Sequence, residues 1–327
     1  MKAFWRRHRA FRRLCYTVLA LLFVFCVLPY MIPLGEPQVE ISPDELVSEH
    51  GRFLDIDGVR IYVEEQNADP AQVAVVFIHG FGGSTFSWRL NAPFFAGQGY
   101  RVVSLDMKGF GLSYEDSASD YSHPEQARLL AEVLARLGVD RAYLVGHSMG
   151  TSVMLYFAHL YPERVLGLIS AAGAAQLDEG GLHPSVLLHF GPFRRIGEVF
   201  LTRYVTKERL GQILSSAYYR KDIVTAEVVD GYYNRLVTGQ WAQSLLGMTR
   251  DMSKNAISFP LEDITFPMLI FWGEQDTWVT RTEIDKWRDK IPSAEFHVIP
   301  ETGHMLMEEE PDLFNNMVLA FLESNNE

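Results

Sequence analysis

Five residues, Gly146-His147-Ser148-Met149-Gly150, separate the apolar run 142–145 from the apolar stretch 151–157. A strand, a sharp turn and a helix in this order would lift one hydroxyl above the edge of a sheet. A glycine two residues to either side of Ser148 leaves room for a strained turn, because glycine has no Cβ to collide with the neighbouring chain. Ser148 is therefore a candidate nucleophile, and this role requires a general base and an orienting acid elsewhere in the chain.

Short β-branched and aromatic runs alternate with helical patterns along most of the chain. Two alternating runs, 52–56 and 59–65, flank Asp57-Gly58 and predict an antiparallel hairpin. Further strands are predicted over 73–78, 100–105, 141–145, 165–170, 268–271 and 295–299, with helices such as 125–137 and 281–290 between them. This alternation is typical of a mostly parallel sheet that is covered on both faces, whose catalytic residues collect at the carboxyl ends of strands.

The segment from Gln176 to Pro267 interrupts the alternation. It is rich in aromatic residues and carries no convincing strand pattern, which predicts a helical insertion. Its aromatic residues can form the core of a packed helical subdomain. They can also line an apolar substrate pocket beneath a lid, and the two interpretations are compatible.

Two loops supply candidates for the base and the acid. His304 follows the predicted strand 295–299, and Asp276 follows 268–271, so both lie where a rigid sheet would present them. Asp276 can hold one imidazole nitrogen of His304 while the other nitrogen faces Ser148. Glu274 and Asp178 are alternative acids, and the sequence favours Asp276.

The glycine-rich turn His79-Gly80-Phe81-Gly82-Gly83 follows the predicted strand 73–78 and can aim backbone N–H groups outward. The N–H groups of Phe81 and Met149 are the candidate oxyanion donors, which preorganise the site for developing negative charge. A turn of this kind can also cradle phosphate, but the chain contains no G-x-x-x-x-G-K-[ST] or G-x-G-x-x-G motif.

Taken in order, five motifs resemble those of the α/β-hydrolase fold family over about residues 52–324. They are His79 to Gly83, Asp106 to Ser113, the turn around Ser148, Gly273 to Asp276, and Gly303-His304. The resemblance implies an eight-stranded, mostly parallel sheet, a helical cap between strands six and seven, and a Ser-His-Asp triad that requires no cofactor. Many relatives carry Arg at the position of Lys108. Soluble epoxide hydrolases and haloalkane dehalogenases of this fold use Asp at the position of Ser148, which argues against both activities.

The predicted activity is hydrolysis of a carboxylic ester through an acyl-enzyme formed on Ser148, with a small, lipophilic, acylglycerol-like substrate. The alternatives that use the same residues are a carbon–carbon bond hydrolase, a lactonase or amidase, and a perhydrolase. A non-catalytic binding module is a further alternative. Cap residues between Gln176 and Pro267 are expected to contribute to substrate binding.

The N-terminal 35 residues differ from the rest. Six basic residues precede a charge-free stretch, 14–35, which predicts a transmembrane signal anchor with a cytoplasmic N-terminus and a catalytic body on the periplasmic or lumenal side. A cleaved signal peptide and a soluble buried helix are the alternatives for this segment. Residues 36–51 are predicted to be an extended tether. The hydrolase core would then comprise 52–175 and 268–327, with 176–267 as the cap.

The composition of the chain argues against several other functional classes. The formal charge of the whole chain is −12 although the N-terminal segment is basic, so the body is strongly acidic and nucleic-acid binding is not expected. Both cysteines, Cys15 and Cys26, lie in the N-terminal apolar run, which leaves the body without a thiol nucleophile or a disulfide. No metal-ligand spacing is present among the histidines, so no metal is predicted. The sequence does not indicate an oligomeric state.

Overall fold

The computed structural model describes residues 2–36, 41–113, 119–175, 177, 184–291 and 294–325. Eight strands form one sheet in the order β1-β2-β4-β3-β5-β6-β7-β8. The strands are β1 (Gly51–Ile56), β2 (Val59–Gln66), β3 (Ala74–Ile78), β4 (Arg101–Leu105), β5 (Ala142–His147), β6 (Val165–Ala171), β7 (Met268–Gly273) and β8 (Ala294–Ile299). The predicted eight-stranded α/β-hydrolase fold is confirmed, and each strand begins and ends within two residues of its predicted bounds.

Strand directions follow from the connections. β1 and β2 are joined by the tight turn at Asp57-Gly58 and pair antiparallel, with Ile56 opposite Val59. β2 also runs antiparallel to β4, whereas β4, β3, β5, β6, β7 and β8 are parallel to one another. The carboxyl ends of β3, β5, β7 and β8 therefore meet at one edge of the sheet, where the loops that carry the candidate site residues begin.

Helices cover both faces of the sheet. The helices are α1 (Lys2–Cys26), α2 (Leu28–Met31), α3 (Ala92–Gly97), α4 (His123–Arg136), α5 (Met149–Leu160), α6 (Gly191–Tyr204), α7 (Lys207–Ala217), α8 (Ala226–Leu236), α9 (Trp241–Asp251), α10 (Arg281–Arg288), α11 (Leu306–Glu309) and α12 (Pro311–Ser324). Strand side chains alternate between two buried clusters: Val76 and Ile78 pack with α4, α5 and α10, whereas Val75 and Phe77 pack with α3 and α12. Burial on both faces explains why these strands are apolar throughout.

The described part of the segment between β6 and β7 contains the helices α6 to α9 and no strand. Its helices pack on the carboxyl-end edge of the sheet. For example, the side chains of Tyr218 and Tyr232 are both buried against Glu308 of the core.

The two ends of the predicted cap differ in the structure. Gln176, its first residue, lies outside the described residues, as does the range 178–183, which includes the alternative acid Asp178. Pro267, its last residue, immediately precedes β7, and its carbonyl accepts from Leu168 N–H of β6 at 2.9 Å.

The prediction of a membrane span is not supported. Among the described residues, no helix is long and apolar enough to cross a membrane. The physical reason is that α1 begins in the basic segment and ends at Cys26, so its charge-free part, 14–26, rises only about 20 Å. The chain then turns back onto the cap, where Arg195 donates to the carbonyl of Ile32 at 2.9 Å and Gly35 N–H donates to Thr202 Oγ1 at 3.0 Å. The location of the catalytic body stays a prediction.

The segment predicted as an extended tether contains one local element. A 3-10 turn spans Pro43–Leu46, with Ser42 and Glu45 forming a capping box at its start. Residues 37–40 lie outside the described residues.

Candidate active site

Ser148 lies in the turn between β5 and α5, and its backbone has a φ of 50° and a ψ of −118°. A non-glycine residue with positive φ is uncommon and stores strain, which persists only when the surroundings hold it. Here Ser148 N–H donates to the carbonyl of Ala171 at 3.0 Å, and the Ser148 carbonyl accepts from Ala174 N–H at 3.1 Å. These bonds hold the turn in place at the carboxyl edge of the sheet.

Two glycines make this turn possible. A Cβ at Gly150 would lie 2.3 Å from the carbonyl oxygen of Ile78 in β3, and a Cβ at Gly146 would lie 2.7 Å from the carbonyl oxygen of Gly150. Both contacts are with backbone, which cannot swing away. The glycine spacing therefore lets α5 approach the sheet closely, as the sequence pattern indicated.

His304 and Asp276 meet across the loops that follow β8 and β7. Nδ1 of His304 is 2.8 Å from Oδ2 of Asp276, and both side chains are buried. The second oxygen of Asp276 accepts from the N–H groups of Trp278 and Val279 at 2.7 and 2.9 Å. This arrangement makes His304 Nδ1 the donor to Asp276 and leaves Nε2 free to act as a base.

The structure also distinguishes Asp276 from Glu274, an alternative candidate for the acid that orients His304. The Glu274 side chain is exposed and accepts from the amide of its neighbour Gln275 at 3.0 Å. It therefore faces solvent on the loop where Asp276 faces inward.

The histidine loop lies beside the serine turn. His147, the residue before Ser148, has its ring centroid 4.8 Å from that of His304, and its Nε2 is 3.1 Å from the His304 carbonyl oxygen. Burial lowers the pKa of His147 well below its usual value, so this ring is neutral. It packs against His304. Ser148 and His304 do not hydrogen-bond to each other directly in this structure. Catalytic hydrogen bonds are often long or misaligned before substrate binds.

The glycine-rich turn after β3 lies against the serine turn, since a Cβ at Gly80 would be 3.1 Å from Cβ of Ser148. The two candidate oxyanion donors, Phe81 and Met149, line the same cavity as Ser148. Among the described residues, neither backbone N–H donates to a protein group. Both donors are thus available to a developing oxyanion, and their role stays a prediction.

Two buried side chains hold the loops around this turn. Asp106 accepts from Thr85 N–H at 2.6 Å and from Leu112 N–H at 2.7 Å, and burial raises the pKa of its carboxyl group to about 6. His79 accepts at Nε2 from Met107 N–H at 3.0 Å, and burial lowers its pKa to about 4. The loops after β3 and β4 are therefore held together by hydrogen bonds of the Asp106 and His79 side chains.

A cavity of about 440 Å³ opens above Ser148. Much of its wall is apolar, and the lining includes Phe81, Phe110, Met149, Met248 and Met252. None of the described residues that line it is Lys, Arg, Asp or Glu. The cavity suits a substrate with a large uncharged part.

Among the described cap residues, those that line this cavity come from α9 and the turn after it. Of the predicted range Gln176 to Pro267, four described residues line it: Met248, Thr249, Met252 and Asn255. All four lie in α9 or just after it. Pro267 is not among the lining residues, because it immediately precedes β7, at the opposite edge of the sheet from Ser148.

Part of the cavity wall was not predicted from the sequence. From the core, His123 and Gln126 at the start of α4 also line it, and no motif singled them out. The only local signal was two polar residues near the start of a predicted helix, which is ordinary for helix ends.

This fold, with a strained serine turn and an Asp-oriented histidine at one edge of the sheet, defines a serine-hydrolase type of arrangement. Residues 75–317 match the alpha/beta hydrolase family, and the chain belongs to that family.

Relatives of known name agree with this assignment. A 2-hydroxy-6-oxononadienedioate/2-hydroxy-6-oxononatrienedioate hydrolase of Paraburkholderia phymatum is 31% identical over 81% of this chain and 92% of its own length. A 2-hydroxy-6-oxo-6-phenylhexa-2,4-dienoate hydrolase of Burkholderia cepacia is 30% identical over 76% of this chain and 87% of its own. The structure is similar to that of a meta-cleavage product hydrolase from Pseudomonas fluorescens, with a TM-score of 0.70, 23% identity and coverage of 84% and 98%.

Proposed function

We propose that this hydrolase uses Ser148 as nucleophile, His304 as general base and Asp276 as the group that orients the imidazole. The 2.8 Å contact between His304 Nδ1 and Asp276 Oδ2 is the observation that carries the proposal. His304 Nε2 takes the Ser148 proton, Oγ attacks a carbonyl carbon, and the N–H groups of Phe81 and Met149 stabilise the oxyanion. Water then releases the acyl group with help from the same base.

The bond cleaved is proposed to be a carbon–carbon bond next to a ketone. Support comes from the named relatives, whose substrates carry an oxo group at C6 of a conjugated dienoate. The dienol first takes up a proton at C5 as its 2-hydroxyl group loses one, which gives a C2 ketone, a C3–C4 double bond and a CH2 group at C5. After attack at the C6 carbonyl, the C5–C6 bond breaks and its electron pair stays on C5. This pair is conjugated through C3–C4 with the C2 carbonyl oxygen, and protonation of that oxygen gives the dienoate. The net reaction consumes one water and yields a carboxylate and a dienoate.

Turnover of 2-hydroxy-6-oxo-6-phenylhexa-2,4-dienoate tests this assignment directly. We expect equal amounts of benzoate and 2-hydroxypenta-2,4-dienoate, measured by chromatography. Ser148→Ala should lower kcat by at least about 10³-fold, because it removes the nucleophile and leaves only binding and the oxyanion donors. Unchanged product formation by Ser148→Ala would remove Ser148 from the mechanism.

Hydrolysis of a lipophilic ester is the second candidate, and the composition of the cavity favours it. A dienoate brings a carboxylate into the site, and burying a carboxylate without a cation is costly. Among the described residues, those that line the cavity include no Lys or Arg. A neutral ester avoids this cost, and its alcohol is a better leaving group than carbon.

A side-by-side comparison separates the two reactions. The kcat/KM values for the phenyl dienoate and for p-nitrophenyl esters of graded chain length are measured with one preparation, together with lactones and amides. A dienoate value at least tenfold above that of the best ester supports carbon–carbon hydrolysis, and the reverse order supports the ester assignment. Failure of a fluorophosphonate probe to label folded protein at Ser148 would favour a non-catalytic binding module.

A further inference from the structure

One polar atom in the wall of the Ser148 cavity, Nδ1 of His123, has no hydrogen-bond partner among the described residues. His123 is the first residue of α4, is only 7% exposed, and lines the cavity together with Ser148. Its Nδ1 is buried and forms no hydrogen bond with any described residue. Leaving a buried polar group unpaired costs about 1–3 kcal/mol. An apolar side chain would fill the same space without this penalty.

The neighbouring polar side chain is already satisfied. The Gln126 amide donates from Nε2 to the Lys108 carbonyl at 2.8 Å and accepts at Oε1 from Lys108 N–H at 3.1 Å. Gln126 thus supports the loop after β4, whereas Nδ1 of His123 has no hydrogen-bond partner among the described residues.

The end of the cap holds His123 in position. Its backbone N–H donates to Asn255 Oδ1 at 2.8 Å, and Tyr121 N–H donates to Asp251 Oδ2 at 3.0 Å. Arg250 donates to the Ser119 carbonyl at 2.6 Å. Three bonds from α9 and the turn after it therefore hold the chain that leads into α4, so the ring is presented by a fixed backbone.

The chemistry of the ring limits what it can bind. Burial lowers the pKa of His123 to about 3, so the ring is neutral, with one nitrogen a donor and the other an acceptor. The positive end of the α4 dipole also favours the neutral ring and an oxygen ligand beside it. A carbonyl oxygen can accept from the ring N–H, and a hydroxyl can pair with either nitrogen.

We propose that His123 is a specificity-determining residue that hydrogen-bonds an oxygen carried by the substrate away from the bond being cleaved. The inference rests on the proposed function only in that the substrate occupies the Ser148 cavity. It applies to both candidate reactions, since a dienoate carries oxygens at its far end and a keto or hydroxy ester carries one in its chain.

The test measures binding and so does not depend on turnover. In the Ser148→Ala background, calorimetry gives Kd for methyl hexanoate and for its 4-oxo and 5-oxo analogues, which differ only by the added carbonyl. With His123 present, one of the two oxo esters should bind more tightly than methyl hexanoate. Replacing His123 by Phe should lower the ratio of the hexanoate Kd to the Kd of that oxo ester by at least about fivefold. His123→Asn, which keeps a hydrogen-bonding group near the Nδ1 position, should retain part of that preference.

A surface histidine provides the control. His50 is exposed, and His50→Asn should leave every Kd ratio unchanged. Equal weakening of all three ligands in His123→Phe would indicate a packing role and overturn the proposal, as would unchanged ratios. Failure of the protein to hydrolyse dienoates and esters would overturn the proposed function while leaving this ratio measurable.

Discussion

At the scale of single residues, the candidate site is built by loops that share one edge of the sheet. Ser148 adopts a strained backbone because Gly146 and Gly150 remove the two Cβ atoms that would block it. Asp276 uses both oxygens, one for His304 and one for the backbone of its own loop. The same carboxylate thus shapes the loop and orients the ring.

Asp276→Asn is expected to lower kcat by about 10³–10⁴-fold. The amide can still accept from the loop N–H groups, but it no longer stabilises the imidazolium or selects the correct tautomer of His304. Steady-state kinetics on the best substrate measures the loss. Glu274→Gln is the matched control because that side chain is exposed, and it should change kcat by less than about twofold. A larger loss in the Glu274 variant would reassign the acid.

At the scale of elements, the cap and the histidine loop are joined through α11. The Glu309 carboxylate is buried and accepts from Gly303 N–H at 2.7 Å, from Tyr219 N–H at 2.9 Å and from Arg220 N–H at 2.7 Å. The His304 N–H itself donates to the Ala217 carbonyl at the end of α7, at 2.7 Å. The position of the general base therefore depends on how the cap packs.

Glu309→Gln should reduce both stability and kcat. One amide N–H₂ would face backbone N–H donors, which leaves buried groups unpaired at a cost of about 1–3 kcal/mol and loosens the loop that carries His304. Denaturant unfolding and kcat are measured together. Glu310→Gln provides the comparison, because that residue makes a partly exposed ion pair with Arg220 and should lose less than about 1 kcal/mol. Equal effects in the two variants would contradict this role of Glu309.

At the scale of the whole molecule, burial of neutral histidines links folding to pH. Burial lowers the pKa of His79 to about 4 and of His123 to about 3, and it lowers that of His147 well below the usual 6.5. The unfolded chain takes up these protons first as pH falls below 6.5, so their contribution to stability is lost on acidification. Asp106 acts in the opposite direction, since its raised pKa of about 6 makes the folded state bind a proton more readily.

The free energy of unfolding should therefore fall between pH 7 and pH 5. His79 and His123 each contribute a loss of roughly 2 kcal/mol at pH 5, and together they outweigh the opposite contribution of Asp106, while His147 acts in the same direction as the other two histidines. Denaturant unfolding at several pH values measures the decline. His123→Phe should make it shallower, whereas His50→Asn should not. A stability that is flat or rising over this range would contradict the assignment of these rings as neutral.

The N-terminal segment shows why the hydropathy of a stretch alone does not predict a membrane-spanning helix. Hydropathy from 14 to 35 predicted a span, but a helix needs continuity as well as composition. The chain leaves α1 at Cys26, and the following residues bond to α6 through Arg195 and Thr202. Those contacts join residues more than 160 positions apart, so no local pattern could predict them.

Local periodicity by itself determined the eight strands, the helical insertion and the order in which Ser148, Asp276 and His304 follow their strands. Such features depend on neighbours a few residues away, which the sequence records directly. Only the tertiary structure decided that Asp276 faces His304 while Glu274 faces solvent, and that His123 lines the cavity beside residues of the cap. The bond between His123 and Asn255 spans 132 positions, and such a contact exists only once the cap has packed on the core.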